Sequence, residues 1–295
     1  MSTVTPSATG LAPSGVLPSL AGQEIRRYLR HPLFWVGVVL TAATCISGPD
    51  PLTSSLFDVI APAAGLGLFG LIIMSSLTRS SDRAAAAAGG VSVPERTRTL
   101  ALASAVVVPL TAALAWFAWA VWAYRTTDVP AAGLPFGDVG DGWAYAVLFD
   151  LSVLAAVGGP LLGLVLARWL QFRGAAAIAV VVLVLATIVM QGLFAPLRTI
   201  RLVMPWTYFG GPLGIDGDPN RMAIMVGSPV WYGVYLALLC VAGVLFAMVH
   251  DPEGDRRRLQ WWLVATLVLA LAATALAMTT GVRPEMVNPV PSGIA

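Results

Sequence analysis

The sequence contains no lysine and few charged residues of any kind. All 17 basic residues are arginine and 15 residues are acidic, so charged residues make up 11% of the chain, whereas a soluble domain has about 25%. Hydrophobic residues make up 58% of the 295 residues, and the mean hydropathy is +0.82. So few charges cannot cover a water-exposed surface of this size. We therefore predict an integral membrane protein.

The absence of lysine also excludes two kinds of chemistry. A Walker A loop places a lysine on the nucleotide phosphates, so this chain cannot bind ATP in that way. Retinal and pyridoxal cofactors form Schiff bases with a lysine amine, which this chain cannot supply. We expect no cofactor in this chain and no enzymatic activity of its own.

Cysteine and histidine are also scarce. Cys45 and Cys240 each lie within an apolar run, a pattern that favours packing over a disulfide or a metal site. His31 and His250 have no histidine nearby in the sequence, and we interpret both as solvated residues at a membrane boundary.

The N-terminal region divides into two parts. Residues 1–16 are rich in Ser, Thr, Pro and Gly without periodicity, which predicts a disordered tail. Residues 17–32 have apolar side chains at helical spacing, which predicts an amphipathic helix lying in the membrane interface. The expected polar face of this helix carries Glu24, Arg26, Arg27 and Arg30.

The rest of the chain contains seven apolar runs. A membrane-spanning helix needs about 20 apolar residues, and all but the first run meet this length. The predicted fold is therefore all-α: a polytopic transmembrane helix bundle of about seven spans, with an external tail at 281–295. The runs cover approximately residues 33–48, 56–77, 100–124, 143–167, 174–195, 229–249 and 261–280.

The distribution of arginines predicts the orientation. With the N-terminus inside and the C-terminus outside, 12 of the 17 arginines fall in cytoplasmic segments, as the positive-inside rule requires. The twelve are Arg26, Arg27, Arg30, Arg79, Arg83, Arg96, Arg98, Arg168, Arg173, Arg256, Arg257 and Arg258.

Two polar residues lie inside predicted spans. Asp150 is the only acidic residue well inside a span, and Gln191 is a weaker case of the same kind. A charge at the bilayer centre costs about 2.5–3.5 kcal/mol or more, which favours a place on a translocation path. Hydration from the nearby outer surface, or pairing with a polar neighbour, explains Asp150 equally well.

Two glycine patterns lie within predicted spans. The string GLGLFG at 65–70 matches a dinucleotide-binding fingerprint, but it lacks the strand that should precede it. Gly159 and Gly163 form a GxxxG pair beside Pro160. We interpret both patterns as close helix-packing faces.

Two loops are unusually informative. The outer loop at 196–228 begins with apolar residues, which predicts an interfacial or re-entrant helix broken at Pro205, with Arg198 and Arg201 at headgroup level. Its DGDPN sequence at 216–220 fits a turn better than a metal site. The inner loop at 78–99 surrounds an alanine run with mixed charges, which predicts either a solvated loop or a docking element. Those charges are Arg79, Asp82, Arg83, Glu95, Arg96 and Arg98.

Several of these segments resemble one family, the type-2 ABC exporter permeases, and its actinobacterial members in particular. The segment EIRRYLRHPLFW at 24–35 is similar to the elbow helix that opens these permeases. The segments RSSDR at 79–83 and PERTR at 94–98 resemble their loop after the second span, and SPVWYGVY at 228–235 resembles the entry to a late span. The predicted span at 261–280 departs from the family, which has six.

The resemblance implies a membrane subunit that exports a substrate by alternating access. It leaves the substrate unidentified, and lipid-like and drug-like molecules are the kinds it suggests. Separate ATPase subunits would hold the ATP and Mg²⁺ and dock on the 78–99 loop. A second permease subunit would complete a homo- or heterodimer in a bacterial plasma membrane, among membrane lipids and without nucleic acid. Two other functions remain open: a lipid-linked glycosyltransferase using Asp216 and Asp218, and a non-catalytic scaffold.

Overall fold

The computed structural model describes residues 15–47, 60–89, 93–126, 141–170, 172, 174–191, 197–205, 213–215, 218–223, 227–252 and 255–281. The predicted disordered tail lies almost entirely outside these residues, as does the external tail beyond residue 281. Helices dominate the described part of the chain. They are α1 Val16–Leu29, α2 Pro32–Ser47, α3 Phe69–Ala88, α4 Glu95–Ser104, α5 Val107–Thr126, α6 Asp141–Phe149, α7 Ala155–Trp169, α8 Ala175–Gln191, α9 Pro229–Val249 and α10 Arg256–Thr279.

Two π-helical segments extend the membrane helices. Ala63–Leu68, preceded by a turn at Ile60–Pro62, leads into α3, and Asp150–Leu154 joins α6 to α7. Five of the resulting helices are long and apolar enough to cross a membrane. They are Ala63–Ala88, Glu95–Ala123, Tyr145–Trp169, Pro229–Val249 and Arg256–Thr279.

Helices α1 and α2 form a further, bent pair. Their axes differ by 61°, and together they pass the same test of length and composition. Pro32 begins α2, and the Trp35 indole donates a hydrogen bond to the Leu29 carbonyl at 2.8 Å across the bend. The bend agrees with an interfacial helix that turns into a span. Helix α8 is apolar but shorter than the other spans. The described chain thus has five such helices, or six with the bent pair, and the count of seven stays a prediction.

Local sequence explains where the last two helices begin. The Ser228 hydroxyl accepts a hydrogen bond from the Trp231 amide, and Pro229 occupies the first turn of α9. The Asp255 carboxylate accepts a hydrogen bond from the Arg258 amide at 3.2 Å and so caps α10.

The outer loop contains a helix before Pro205, as predicted, and this helix is of the 3₁₀ type, from Leu197 to Val203. The Arg201 side chain is buried within the protein, and Leu202 beside it is fully buried. The position of Arg198 and Arg201 at headgroup level stays a prediction. The hydroxyls of Tyr232 and Tyr235 on α9 donate to the carbonyls of Met204 and Val203, which holds this segment against the bundle.

A short β-hairpin in the same loop differs from the prediction of an all-α fold. Strands β1 (Leu213–Ile215) and β2 (Asp218–Ala223) pair antiparallel, with Ile215 opposite Asp218. The sequence between these partners is Asp-Gly, a dipeptide that favours two-residue hairpin loops. The DGDPN segment was predicted as a turn from the same residues.

The glycine patterns pack helices together, as the sequence predicted. A Cβ atom added at Gly159 would lie 2.0 Å from the Gly67 carbonyl oxygen, and one at Gly163 would lie 2.2 Å from the Leu71 carbonyl oxygen. Helix α7 therefore contacts the backbone of α3 and of the π segment before it. We call this contact the glycine seam. A similar approach joins Gly37 on α2 to Gly65, where an added Cβ would lie 2.2 Å from the Gly65 oxygen.

The glycine seam predicts a sharp difference between two adjacent residues. Gly159→Ala should lower the free energy of unfolding by about 1–3 kcal/mol, because the new methyl group must displace backbone. Gly158→Ala is the matched control, since its Cβ would lie 3.7 Å from the Cys240 sulfur, an ordinary contact. Thermal unfolding of the two purified variants measures the difference. Equal melting temperatures would show that the seam is not tightly packed.

Candidate functional site at the charged end of the bundle

Charged side chains from four helices meet at one end of the bundle. We call Asp82, Glu95, Arg98, Arg168 and His250 the charged cluster. Asp82 lies near the end of α3, Glu95 and Arg98 begin α4, Arg168 lies at the end of α7, and His250 follows α9. The predicted topology places all five residues on the cytoplasmic side.

Asp82 joins α3 to two other helices. Its Oδ1 atom accepts a hydrogen bond from Arg98 Nη1 at 2.8 Å and another from Arg168 Nη1 at 2.5 Å. The Arg98 guanidinium also donates to the Val93 carbonyl at 3.2 Å, which fixes the start of α4. One carboxylate therefore holds the ends of α3, α4 and α7 together.

Glu95 connects Arg168 to α9. Its Oε1 atom lies 2.7 Å from His250 Nδ1 and 3.7 Å from Arg168 Nη1. The carboxylate accepts, so His250 carries a proton on Nδ1 in this contact. His250 is half-buried and is not the solvated residue that the sequence suggested. The sequence missed this pairing because Glu95 and His250 lie far apart along the chain.

Arg168 is the most deeply buried member of the charged cluster. Its side chain is 2% exposed, whereas that of its partner Asp82 is 37% exposed. Its Nε and Nη2 atoms make no hydrogen bond within the described part of the chain. A buried guanidinium depends on its counter-charges, because removing one partner leaves an uncompensated buried charge. Arg168 is thus the electrostatic centre of the site.

Contacts next to the charged cluster reinforce it. The Arg96 amide donates to Asp251 Oδ2 at 3.0 Å, so the carboxylate after α9 meets the first turn of α4. Arg256 donates to the carbonyls of His250 and Asp251 at 3.1 and 3.2 Å. These bonds tie the turn between α9 and α10 to the same end of the bundle.

The predicted docking loop is largely helical. Helix α3 continues through the alanine run to Ala88, and Gly89 follows with φ +59°, a conformation that glycine adopts readily. The segment is therefore an extension of a span, where an irregular loop or a separate short helix was expected. Strong helix formers and the absence of Gly or Pro between Leu71 and Ala88 explain the extension.

A cleft of about 810 Å³ opens beside the charged cluster. The extended end of α3 forms one wall through Arg79, Asp82 and Arg83. Arg79 donates to the Phe172 carbonyl at 2.9 Å, which links this wall to the segment after α7. The Arg83 and Arg96 side chains are exposed. Of these two arginines, Arg83 lines the cleft, whereas Arg96 lies outside its lining.

Helix α1 also reaches this end of the bundle. Glu24 is buried, not on a solvated polar face, and its two oxygens accept from Arg27 Nη1 at 2.8 and 2.9 Å. Arg27 also donates to the Ser80 hydroxyl on α3. Burial raises the pKa of Glu24, and the Arg27 charge opposes this rise. Arg26 and Arg30 are exposed, as predicted.

His31 lies at the bend after α1. Its Nδ1 atom is buried and makes no hydrogen bond within the described residues. Burial lowers the pKa of this imidazole, because the charged form loses hydration. The His31 residue as a whole is only partly buried, so its solvated interpretation stays a prediction.

The candidate path residues lie away from the charged cluster. Asp150 is 3% exposed and begins the π segment Asp150–Leu154. Its carboxylate packs against Gly233 on α9, where an added Cβ would lie 2.2 Å from Oδ1. Asp150 thus occupies a place that only glycine on the neighbouring helix allows. The side chain of Gln191, the last residue of α8, lies outside the described residues.

Metal chemistry has little support in the described part of the chain. No group of three or more His, Cys, Asp or Glu residues is placed there to hold a metal ion. Asp216 lies outside the described residues, and only the backbone of Asp218 is described. No observation therefore supports the glycosyltransferase alternative.

Comparisons with known proteins identify no relative. No protein-family model, no curated protein and no solved structure matches this chain.

The charged cluster predicts a specific dependence on Asp82. Asp82→Asn should lower the free energy of unfolding by about 1–3 kcal/mol, less than for a fully buried pair because Asp82 is partly exposed. Arg83→Gln is the matched control one residue away, since Arg83 is exposed. Chemical or thermal unfolding in detergent provides the measurement.

A double-mutant cycle measures the interaction between Asp82 and Arg168 separately from their other contacts. If Asp82 stabilises the protein through Arg168, then Asp82→Asn should have little further effect in an Arg168→Met background. Full additivity of the two substitutions would contradict the pairing.

Proposed function

We propose that this chain is the membrane-spanning subunit of an ATP-driven exporter of the type-2 ABC class. Five helices long enough to span a membrane, and the bent α1–α2 pair that resembles an elbow helix, support the proposal. The chain would pair with a second permease subunit and with separate ATPase subunits, which hold the ATP and Mg²⁺. The exported substrate would be apolar or amphipathic, of a lipid-like or drug-like kind.

The observation that carries the proposal is the mechanical connection at the charged end. A docked motor protein can shift membrane helices only if its docking surface is fixed to them. The extended α3 is continuous with a span, and Asp82 joins it to α4 and α7. A push on the end of α3 would therefore reach three helices at once.

The glycine seam carries such a push into the membrane. Helix α7 contacts the α3 backbone at Leu71 and the preceding π segment at Gly67. Contacts between backbones without intervening side chains leave little freedom for sliding. Helices α3 and α7 would then move together, and the access change would fall on helices packed less closely against them.

The proposed docking surface is the cleft beside the charged cluster together with its surroundings. The exposed Arg83 lines the cleft, and the exposed Arg96 directly follows the lining residue Glu95 on α4. Reversing both charges, Arg83→Glu and Arg96→Glu, should lower recovery of the ATPase about tenfold, or about 1.4 kcal/mol of binding free energy. Arg79 stays unchanged in this test, because its bond to the Phe172 carbonyl helps to hold the wall. Copurification with the proposed ATPase subunit, coexpressed with this chain, provides the measurement.

The matched control reverses Arg257 and Arg258 at the start of α10. Both are exposed and begin the helix that follows the same end of the bundle, but neither lines the cleft. Equal ATPase recovery from both double variants and the wild type, with equal coupled transport, would contradict docking at the cleft.

The proposal includes a bacterial plasma membrane with the N-terminus inside and the C-terminus outside. Reporter fusions at Gly90 and Asp255 should then read cytoplasmic, whereas fusions at Pro135, Ile215 and Val290 should read external. The physical reason is the retention of arginine-rich segments on the cytoplasmic side. A cytoplasmic reading at Val290 would show an even number of spans and remove the seventh.

A further inference from the structure

An apolar groove runs along α7 on a different face from the glycine seam. Helices α9 and α10 form its other walls, and Pro205 also lines it. Its volume is about 420 Å³, within the range of about 300–1,000 Å³ typical of ligand pockets. Residues that line it include Gly158, Val165, Gly243, Phe246 and Leu267.

The lining excludes water as the natural occupant. All lining side chains are apolar apart from the Cys240 thiol, and a water molecule needs two to four polar partners. The cleft at the charged cluster differs in kind, because arginines and carboxylates line it. An empty groove would leave its walls without van der Waals partners on one side. The occupant must therefore be hydrocarbon.

The length of the groove matches one leaflet of a bilayer. The groove extends along α7 and the end of the π segment before it, from Leu154 to Val165, or about 16 Å at 1.5 Å per residue. Half of the hydrocarbon core of a bilayer is about 15 Å. The wall on α9 runs from Leu236 to Phe246, a nearly equal length.

Two glycines keep the groove open, in contrast to those of the glycine seam. A Cβ added at Gly158 would lie 3.7 Å from the Cys240 sulfur, and one at Gly243 would lie 3.8 Å from Val165 Cγ2. Neither position is needed for close backbone contact. Larger side chains at Gly158 and Gly243 would occupy the groove itself.

We propose that this groove binds one acyl chain of a membrane phospholipid as a tightly held structural lipid. The proposal rests on the membrane location given under Proposed function, but not on ATPase docking or transport. The acyl chain lies between α7, α9 and α10 and completes the packing that Gly158 and Gly243 leave open.

The test fills the groove with protein. The double variant Gly158→Leu/Gly243→Leu places two isobutyl groups where the acyl chain would lie. Native mass spectrometry of the full-length protein, released from detergent after delipidation and addition of dioleoyl-phosphatidylethanolamine, counts the lipids that remain bound. We expect one retained lipid on the wild type and at least a fivefold loss of this species in the double variant.

The matched control adds the same kind of bulk outside the groove. Ala237 on α9 and Ala272 on α10 are exposed and do not line it, so Ala237→Leu/Ala272→Leu should keep the retained lipid. If the double variant does not fold, the single variant Gly158→Val replaces it, with partial loss expected. Equal lipid retention by the filled and control variants would overturn the proposal. A filled variant that keeps its lipid but no longer associates with a second copy of the chain would also overturn it.

The same variants separate this proposal from the proposed function. If the filled variant loses its lipid and recovers as much ATPase as the wild type, the result supports lipid binding in the groove and leaves the docking proposal unchanged. If the filled variant keeps its lipid and loses the ATPase, lipid binding in the groove is overturned, whereas docking at the cleft is not affected. A melting temperature that rises on lipid addition in the wild type but not in the filled variant gives an independent confirmation.

Discussion

The contact on which the structure most depends is the backbone approach of α7 to α3 at the glycine seam. Apolar helices in lipid gain little from hydrophobic association, because lipid tails are as apolar as leucine side chains. Close packing must then supply the attraction, and only glycine lets the backbones approach so near. Gly159 meets Gly67, and Gly163 meets Leu71 one turn further along. The parallel register that results brings the end of α7 beside the extended end of α3, where Arg168 meets Asp82.

Much of this arrangement follows from local patterns in the sequence. The apolar run at 229–249 coincides with α9, and the GxxxG pair was predicted to pack helices. The first helix, predicted at 17–32, extends from Val16 to Leu29, which differs by one residue at its start and three at its end. In each case the controlling signal is local: hydrophobic length, a proline or serine at a helix start, or small residues at helical spacing.

The parts that could not be predicted depend on long-range partners. Arg168 was counted only as a positive charge at an inner boundary, and nothing near it in the sequence indicates Asp82 or Glu95. The burial of Glu24 and Arg201 has the same origin, because a charged residue on a short helix is assumed to be solvated until its neighbours are known. Helix α3 passes its predicted end at residue 77 because polar residues end an apolar run without ending a helix. A rule based on hydropathy therefore marks the membrane boundary and not the helix boundary.

Helix α7 combines the separate features of this chain. One face forms the glycine seam, its end carries Arg168, and a third side lines the apolar groove. The π segment before it presents Asp150 to Gly233 on α9. A π segment contains one more residue per turn than the α-helix requires, and such insertions often occur at functional positions in helices. Helix α7 also contacts α9 directly at its other end, where the Trp169 ring stacks on Phe246 with ring centroids 4.7 Å apart. An acyl chain in the groove between these two contacts would complete the packing of α7 against α9 and α10, so the same helix would be held by backbone contact on one face and by lipid on another.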